Sequence, residues 1–398
     1  MRSLAKSGMQ LAKSILKILP ESLQLYVIQK YLHSKEKTIR EKELPDAITF
    51  FVTSRCNARC EHCFYWKELN TEQDELTLEE IDKIATSMAS GLDSLALTGG
   101  EPTLRKDLGE ICQIFNERCQ TRNIGIASNG LLPGRTRDIC EWVLKHCKLE
   151  RFNVQVSLDG IERVHDEIRK VPHAFEKAME TIKILNELCK EYKNFSINTA
   201  LAIQPRNYKE IDAFVEYMTP LNVPMKFLVV RGSNYGTYGL NPNISSEFDP
   251  RLEESASISL DVKQLEEIYF KLTELNEKFG DGFWSELDQA TMYTTLHIIE
   301  EKKRIIPCYA GNLEGIIYSN GDVAICELTK PFDNLRETNY NFYKLWHSDA
   351  ANRMCSLTRS CACIHSCNLT TALRFQPEIL YSTVMEHSLK NRKQRWKR

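Results

Sequence analysis

The chain has 398 residues, 42% hydrophobic and 27% charged, an ordinary balance for a folded protein and enough length for one large α/β domain or two to three smaller ones. A formal net charge of -2 excludes an overall field that would attract nucleic acid, and no apolar run approaches the roughly 20 residues a membrane helix needs. Fourteen cysteines is a high count. Residues 1–20 lack the apolar core and cleavage site of a secretory signal, so a cytoplasmic location is expected, where clustered cysteines read as metal ligands rather than disulfides.

Residues 1–45 are helical in pattern. Leu4, Leu11, Ile15, Ile18 and Leu19 recur at helical spacing with Lys6, Lys13 and Lys17 between them. Such a basic amphipathic segment either packs on the protein's own body or lies on an anionic membrane, so residues 1–20 also suit peripheral membrane contact. From residue 47 the rhythm changes to strands alternating with helices. Strands are predicted at 47–52, 94–97, 124–127, 152–157, 196–203 and 225–230, with helices at 78–90, 108–121, 137–146, 174–191 and 208–221. A series of this kind argues for a parallel, barrel-like sheet over residues 46–235, with its chemistry at the carboxyl ends of the strands.

Residues 232–260 read as a loop insertion rich in Gly, Pro, Ser and Asn, followed by helices at 262–278 and 285–302; together, 236–304 bridge to a second region. That region, 305–375, carries cysteines around a hairpin at 316–325 that turns on Asn320-Gly321. The tail, 376–398, becomes strongly basic from Lys390 and reads as a solvated end.

Two cysteine constellations stand out. Cys56, Cys60 and Cys63 fall within eight residues directly after the first strand. Three thiolates in one tight loop suit an iron–sulfur cube with one iron left open, whereas a structural zinc site asks for four protein ligands. The other predicted strands end in motifs of their own. Thr98-Gly99-Gly100-Glu101-Pro102 follows the second, Ser128-Asn129-Gly130 the third, and Ser157-Leu158-Asp159-Gly160 the fourth, with Arg169 shortly after. Glycine permits a close backbone approach, a buried carboxylate accepts from a charged amine, and arginine forms bidentate contacts to carboxylates.

These residues resemble the radical S-adenosylmethionine (SAM) superfamily, whose signature is three cysteines at this spacing with an aromatic residue before the last, here His62. The resemblance implies a partial (β/α)6 TIM-like barrel with a 4Fe–4S cluster on Cys56, Cys60 and Cys63. It also implies a SAM site in which Gly99, Gly100 and Glu101 meet the amino group, Ser128 and Asn129 the ribose, and Arg169 the carboxylate, with His62 and Ser157 as further cofactor-binding residues. An electron donor such as flavodoxin or ferredoxin would complete the system.

The C-terminal constellation, Cys308, Cys326, Cys361, Cys363 and Cys367, resembles the SPASM/Twitch extensions that bind auxiliary clusters. The two-cluster pattern includes a Cys-x-x-Cys pair that is replaced here by Cys361-x-Cys363, so one auxiliary 4Fe–4S cluster is expected. Cys308, Cys326, Cys363 and Cys367 are the expected ligands, with Cys361 the contested fifth, and four cysteines suit structural zinc equally well. Cys355 reads as an ordinary buried thiol, and Cys112, Cys119, Cys140, Cys147 and Cys189 as small core residues on helical faces. Radical SAM enzymes of this layout modify peptides or proteins, and others act on sugars, lipid-linked or other small molecules. A peptide is the expected substrate, and a non-enzymatic metal-binding scaffold is the alternative of another class.

Overall fold

Alternating apolar residues build the strands, as β1 (Ala47–Thr53) illustrates with Ile48, Phe50 and Val52 fully buried. β2 (Ser94–Gly99), β3 (Asn123–Ser128), β4 (Arg151–Ser157), β5 (Phe195–Ile203) and β6 (Met225–Val229) follow. In the computed structural model the described residues are 43–89, 91–230, 237–238, 259–279, 284–359 and 361–376, with Pro20, Leu23, Tyr26, Val27, Lys30, Ser34 and Ile379. The rest of the basic N-terminal segment, nearly all of the 232–260 insertion and the basic tail lie outside them.

The strands pair in parallel in the unbroken order β1-β2-β3-β4-β5-β6. Between them run α1 (Leu78–Ser87), α2 (Leu108–Arg118), α3 (Pro133–His146), α4 (Glu162–Arg169), α5 (Ala174–Glu191) and α6 (Ile211–Met218). Right-handed crossovers put successive helices on the same face when the strand order never reverses. Leu95, Ile124, Ile126, Phe152, Val154 and Val156 are buried in the core with helix residues such as Ile111, Phe115 and Leu185. The intervening Thr49, Ala96, Gly125, Asn153 and Gln155 stay partly exposed on the other face. This is the expected partial (β/α)6 barrel.

Three elements differ from expectation. α3 begins at Pro133 rather than 137, because proline is pre-organised for a first helical turn. The stretch 208–221 is a short α-helix flanked by 3₁₀ turns. α4, too short to show helical periodicity, carries His165 and Arg169.

Beyond the barrel come α7 (Val262–Phe279) and α8 (Glu286–Glu301), close to their expected bounds. The expected hairpin is formed by β8 (Glu314–Ile317) and β9 (Asp322–Ala324), with Gly321 at φ +90° in its turn. β8 pairs in parallel with β1, so the C-terminal strands continue the barrel's own sheet through β10 (Asp333–Asn334). After α9 (Phe342–Trp346) and α10 (Asp349–Thr358), β11 (Ala362–Cys363) pairs with β7 (Thr237–Tyr238), and α11 (Ser366–Leu373) packs on α8. Among the described residues, no helix is long and apolar enough to cross a membrane.

Glu80 fastens the two halves. It closes a capping box with Thr77 at the start of α1. It also accepts from Tyr340 Oη (2.6 Å) and Arg336 Nε (3.2 Å), both in the C-terminal region. Burial alone would raise its pKa, but the bonds from Tyr340, the Thr77 backbone and Arg336 outweigh it and bring the carboxyl to about 2. A pKa depressed on folding stabilises the charged form above the unfolded value, and that gain is lost as pH falls from about 4.5 to about 2. Glu80→Gln should therefore cost about 1–3 kcal/mol at neutral pH. In chemical denaturation series, the gap from wild type should close toward pH 2; a gap that persists there would refute the assignment.

Candidate active site

The cysteine loop starts where β1 ends, and neighbouring backbone shapes it. Asn70, in the left-handed region at φ 58°, clamps Cys56 by accepting from its N–H (3.0 Å) and donating to its carbonyl (3.1 Å). The N–H groups of Arg59 and Glu61 donate to the carbonyls of Arg169 and Ile168, so the loop rests on the end of α4. Cys56, Cys60 and Cys63 are all half-buried. Burial pushes the Cys56 thiol up to about 11 and the Cys63 thiol up to about 12. Iron loading would therefore displace their protons. Among the described residues, no three His, Cys, Asp or Glu side chains are grouped to hold one metal ion. A cube asks instead that each thiolate reach an iron of its own.

The Gly-Gly-Glu segment is pressed onto this loop. A Cβ on Gly99, at φ +129°, would collide with the Thr53 carbonyl, and one on Gly100 with the Arg55 carbonyl. The N–H groups of Gly100 and Glu101 donate to those same carbonyls at 2.8 Å each. The close approach these glycines permit is thus to the chain's own backbone, where the sequence suggested a ligand. Glu101 is fully buried. It accepts from Thr103 N (3.1 Å), Thr103 Oγ1 (2.6 Å), Ser128 Oγ (2.9 Å) and Asn129 N (2.7 Å). Burial still holds its pKa above the usual range. Asn129 Nδ2 then donates to Asn57 Oδ1 (2.8 Å), closing a path from β3 back to the cysteine loop.

At the end of β4 sits Asp159, fully buried, which sequence reasoning noted but did not select. Its Oδ1 accepts from Ala202 N (2.9 Å), its Oδ2 lies 2.6 Å from Arg169 Nη2, and His62 Nε2 is 3.8 Å away. Burial would raise the Asp159 pKa, but Arg169 and the histidines lower it overall. Arg169 Nη1 donates to Cys60 Sγ (3.3 Å), so both ends of the guanidinium are committed within the protein. The arginine expected to meet a ligand carboxylate is thus also held by a buried Asp159. The Asp159 N–H donates to His165 Nδ1 (2.9 Å), which burial first, and Arg169 second, keep neutral with a pKa near 4.

A cavity of about 500 Å³ opens over these strand ends. His62, Cys63, Ser157, Asp159 and Arg169 line one side; Glu327, His365 and Cys367 from the C-terminal region line the other. Gly99, Gly100, Glu101, Ser128, Asn129, Cys56 and Cys60 are not among the cavity's lining residues. His365 Nδ1 accepts from Asn368 N (3.3 Å), which leaves Nε2–H to donate to Glu327 Oε2 (2.9 Å). Nothing in the sequence spacing singled out that pair.

The C-terminal thiols gather around Cys363. Cys308, Cys326 and Cys361 each lie close enough to feel its charge, and its shared hydrogen bond with Cys361 lowers the Cys363 pKa while raising that of Cys361. Asn368 Nδ2 donates to Cys326 Sγ (3.4 Å), and Arg304 Nη2 to Cys361 Sγ (3.5 Å). Cys361 is thus inside the group, whereas Cys367 is exposed on the cavity wall. Cys355 donates to the Gly311 carbonyl (3.5 Å), as an ordinary thiol would.

A one-faced α/β barrel thus carries a cysteine triad beside its cavity and a second group of thiols in the C-terminal region. Residues 50–218 match the family described as the Radical SAM superfamily. It is 26% identical over 295 residues to the sporulation killing factor maturation protein SkfB of Bacillus subtilis (strain 168), covering 72% of this chain and 61% of SkfB. The chain spans about half to three-fifths of the length of the curated relatives it matches. Its fold is similar to that of Streptococcus suis SuiB bound to the precursor peptide SuiA (TM-score 0.52, 17% identity, 83% of this chain and 71% of that one). It is also similar to anSMEcpe with bound AdoMet and the Cp18Cys peptide (TM-score 0.56, 16% identity, 88% and 99%).

The glycine contacts make a direct prediction. Gly100→Ala should lower stability by about 1–3 kcal/mol, because neither backbone can yield without moving the cysteine loop. Thermal unfolding of the metal-free protein tests this, and an unchanged Tm would show that the glycine is not held by packing.

Proposed function

We propose that this chain is a radical SAM enzyme that modifies a peptide. Cys56, Cys60 and Cys63 would hold a 4Fe–4S cluster, which would supply the electron for reductive cleavage of SAM and so the radical chemistry that abstracts a substrate hydrogen atom. The observation that carries the reading is that Cys63 and His62 open onto the same cavity as Ser157 and Arg169. Three half-buried thiols fit the cluster as donors, and Arg169 neutralises the Cys60 side of it while Asp159 holds the guanidinium in place. Glu101, paired with no cation among the described residues and with a single bond on its Oε2, fixes the β2 and β3 ends and suits a cationic amino group. Ser157 suits a ligand carboxylate as a neutral donor on the cavity wall.

For the second cluster, Cys308, Cys326, Cys361 and Cys363 form the better ligand set, since they share one neighbourhood. Cys367 is then left to face the cavity. The peptide substrate rests on the relatives: SkfB is a maturation protein, and SuiB and anSMEcpe have been solved with peptides bound. A small electron-transfer protein of the flavodoxin or ferredoxin kind would supply the electron.

Anaerobic reconstitution should load roughly eight irons per chain, and a Cys56/Cys60/Cys63→Ala variant roughly four. Dithionite should then release 5'-deoxyadenosine from SAM in the wild type alone. Roughly four irons with one zinc would dispose of the auxiliary cluster, and a reduced, iron-loaded wild type that leaves SAM intact would dispose of the function. Replacing Cys361 should lower the iron content of the triple variant further, whereas Cys367→Ala should leave it unchanged.

A further inference from the structure

The concave face of the sheet continues below the strand ends as a lumen. Thr49 on β1, Ala96 on β2, Gly125 and Ala127 on β3, and Asn153 and Gln155 on β4 line its lower walls. Most of these side chains are small. A Cβ on Gly125 would meet nothing within 4 Å, so the space beside it is open.

A one-way relay of side-chain hydrogen bonds crosses β4 and β5 here. Ser196 Oγ donates to Asn153 Oδ1 (3.1 Å), Asn153 Nδ2 to Asn198 Oδ1 (2.9 Å), and Asn198 Nδ2 to Gln155 Oε1 (3.2 Å). Its direction is set by the Thr199 carbonyl, which can only accept and takes a bond from Asn198 Nδ2 (3.3 Å). The chain of donors therefore ends on Gln155 Nε2, for which no partner is found among the described residues. Donors at the end of such a chain are polarised by the bonds behind them.

We propose that this lumen is a substrate subsite in which Gln155 Nε2 donates to a neutral carbonyl oxygen, as a peptide group would present. The charged side chains of the cavity, Glu61, Asp159, Arg169 and Glu327, belong to the strand ends and the C-terminal wall. The lower lumen is uncharged, which disfavours a carboxylate there. This inference rests on the peptide-modifying function proposed above and specifies where that substrate's backbone is read.

The test is crystallographic, on reconstituted protein loaded with SAM. Crystals are soaked in N-methylacetamide, which has one carbonyl and one N–H, and separately in acetate. The expected result is N-methylacetamide with its oxygen on Gln155 Nε2 and no ordered acetate there. The probe should be lost from Gln155→Met crystals and from Gly125→Leu crystals, the latter a variant whose new side chain fills open space. A lumen holding only water, acetate in that place, the probe with its N–H on Gln155, or the same pose in Gln155→Met would overturn the inference. Calorimetry of SAM with the wild type separates the two readings. Absence of SAM binding defeats the proposed function, whereas bound SAM above a lumen holding only water defeats the subsite alone.

Discussion

Because the strand order never reverses, every crossover helix falls on one side of the sheet, and the other side is left without a helical cover. Parallel strands are usually apolar on both faces. Here the uncovered face holds Thr49, Gly125, Asn153 and Gln155, while Ile48, Ile124, Phe152 and Val154 alternate with them into the helical layer. Small and polar residues on one face are what keep the barrel hollow. Larger apolar residues would fill it as a core and leave no cavity for a cosubstrate.

The strand ends around the cavity bury charge, and the molecule handles this by pairing. Burying a lone carboxylate costs several kcal/mol unless it is matched. Asp159 is matched by Arg169, which also faces Cys60, so one guanidinium serves two anionic partners. Glu101 is handled differently: no cation reaches it among the described residues, and hydroxyl and backbone donors surround it instead. Its pKa stays raised where that of Asp159 is lowered. Of the two carboxylates, Glu101 is the one not already paired with a cation among the described residues.

The motifs at the strand ends were legible because a parallel barrel forces its special residues to those ends, and the spacing from Cys56 to Glu101 and Arg169 follows from one strand–helix unit after another. Other features left no trace in spacing. Asp159 is a single acidic residue in a turn, and only its depth in the fold distinguishes it from a solvated one. Gly99 and Gly100 were recognisable as a close approach, yet their partner, the Thr53–Arg55 backbone, is brought there by the β1–β2 register. The choice between Cys361 and Cys367 turns on β11, a two-residue strand held by pairing with Thr237–Tyr238, which no periodicity could announce. The boundary near residue 305 was visible as a change of composition, while the continuation of the sheet across it was not.

That continuation gives the C-terminal region its place in the chemistry. Pairing of β8 with β1 sets the hairpin beside the strand that leads into the cysteine triad, and the Glu80–Arg336–Tyr340 contacts pin the same region to α1. The segment Ile364–Cys367 lines the same cavity as Cys63. A region attached only by a linker would sample many orientations, and its thiols would hold no fixed distance from the barrel. Here Cys326, just after β9, sits on the sheet whose β1 leads into the triad, and the cavity is lined by residues of both regions.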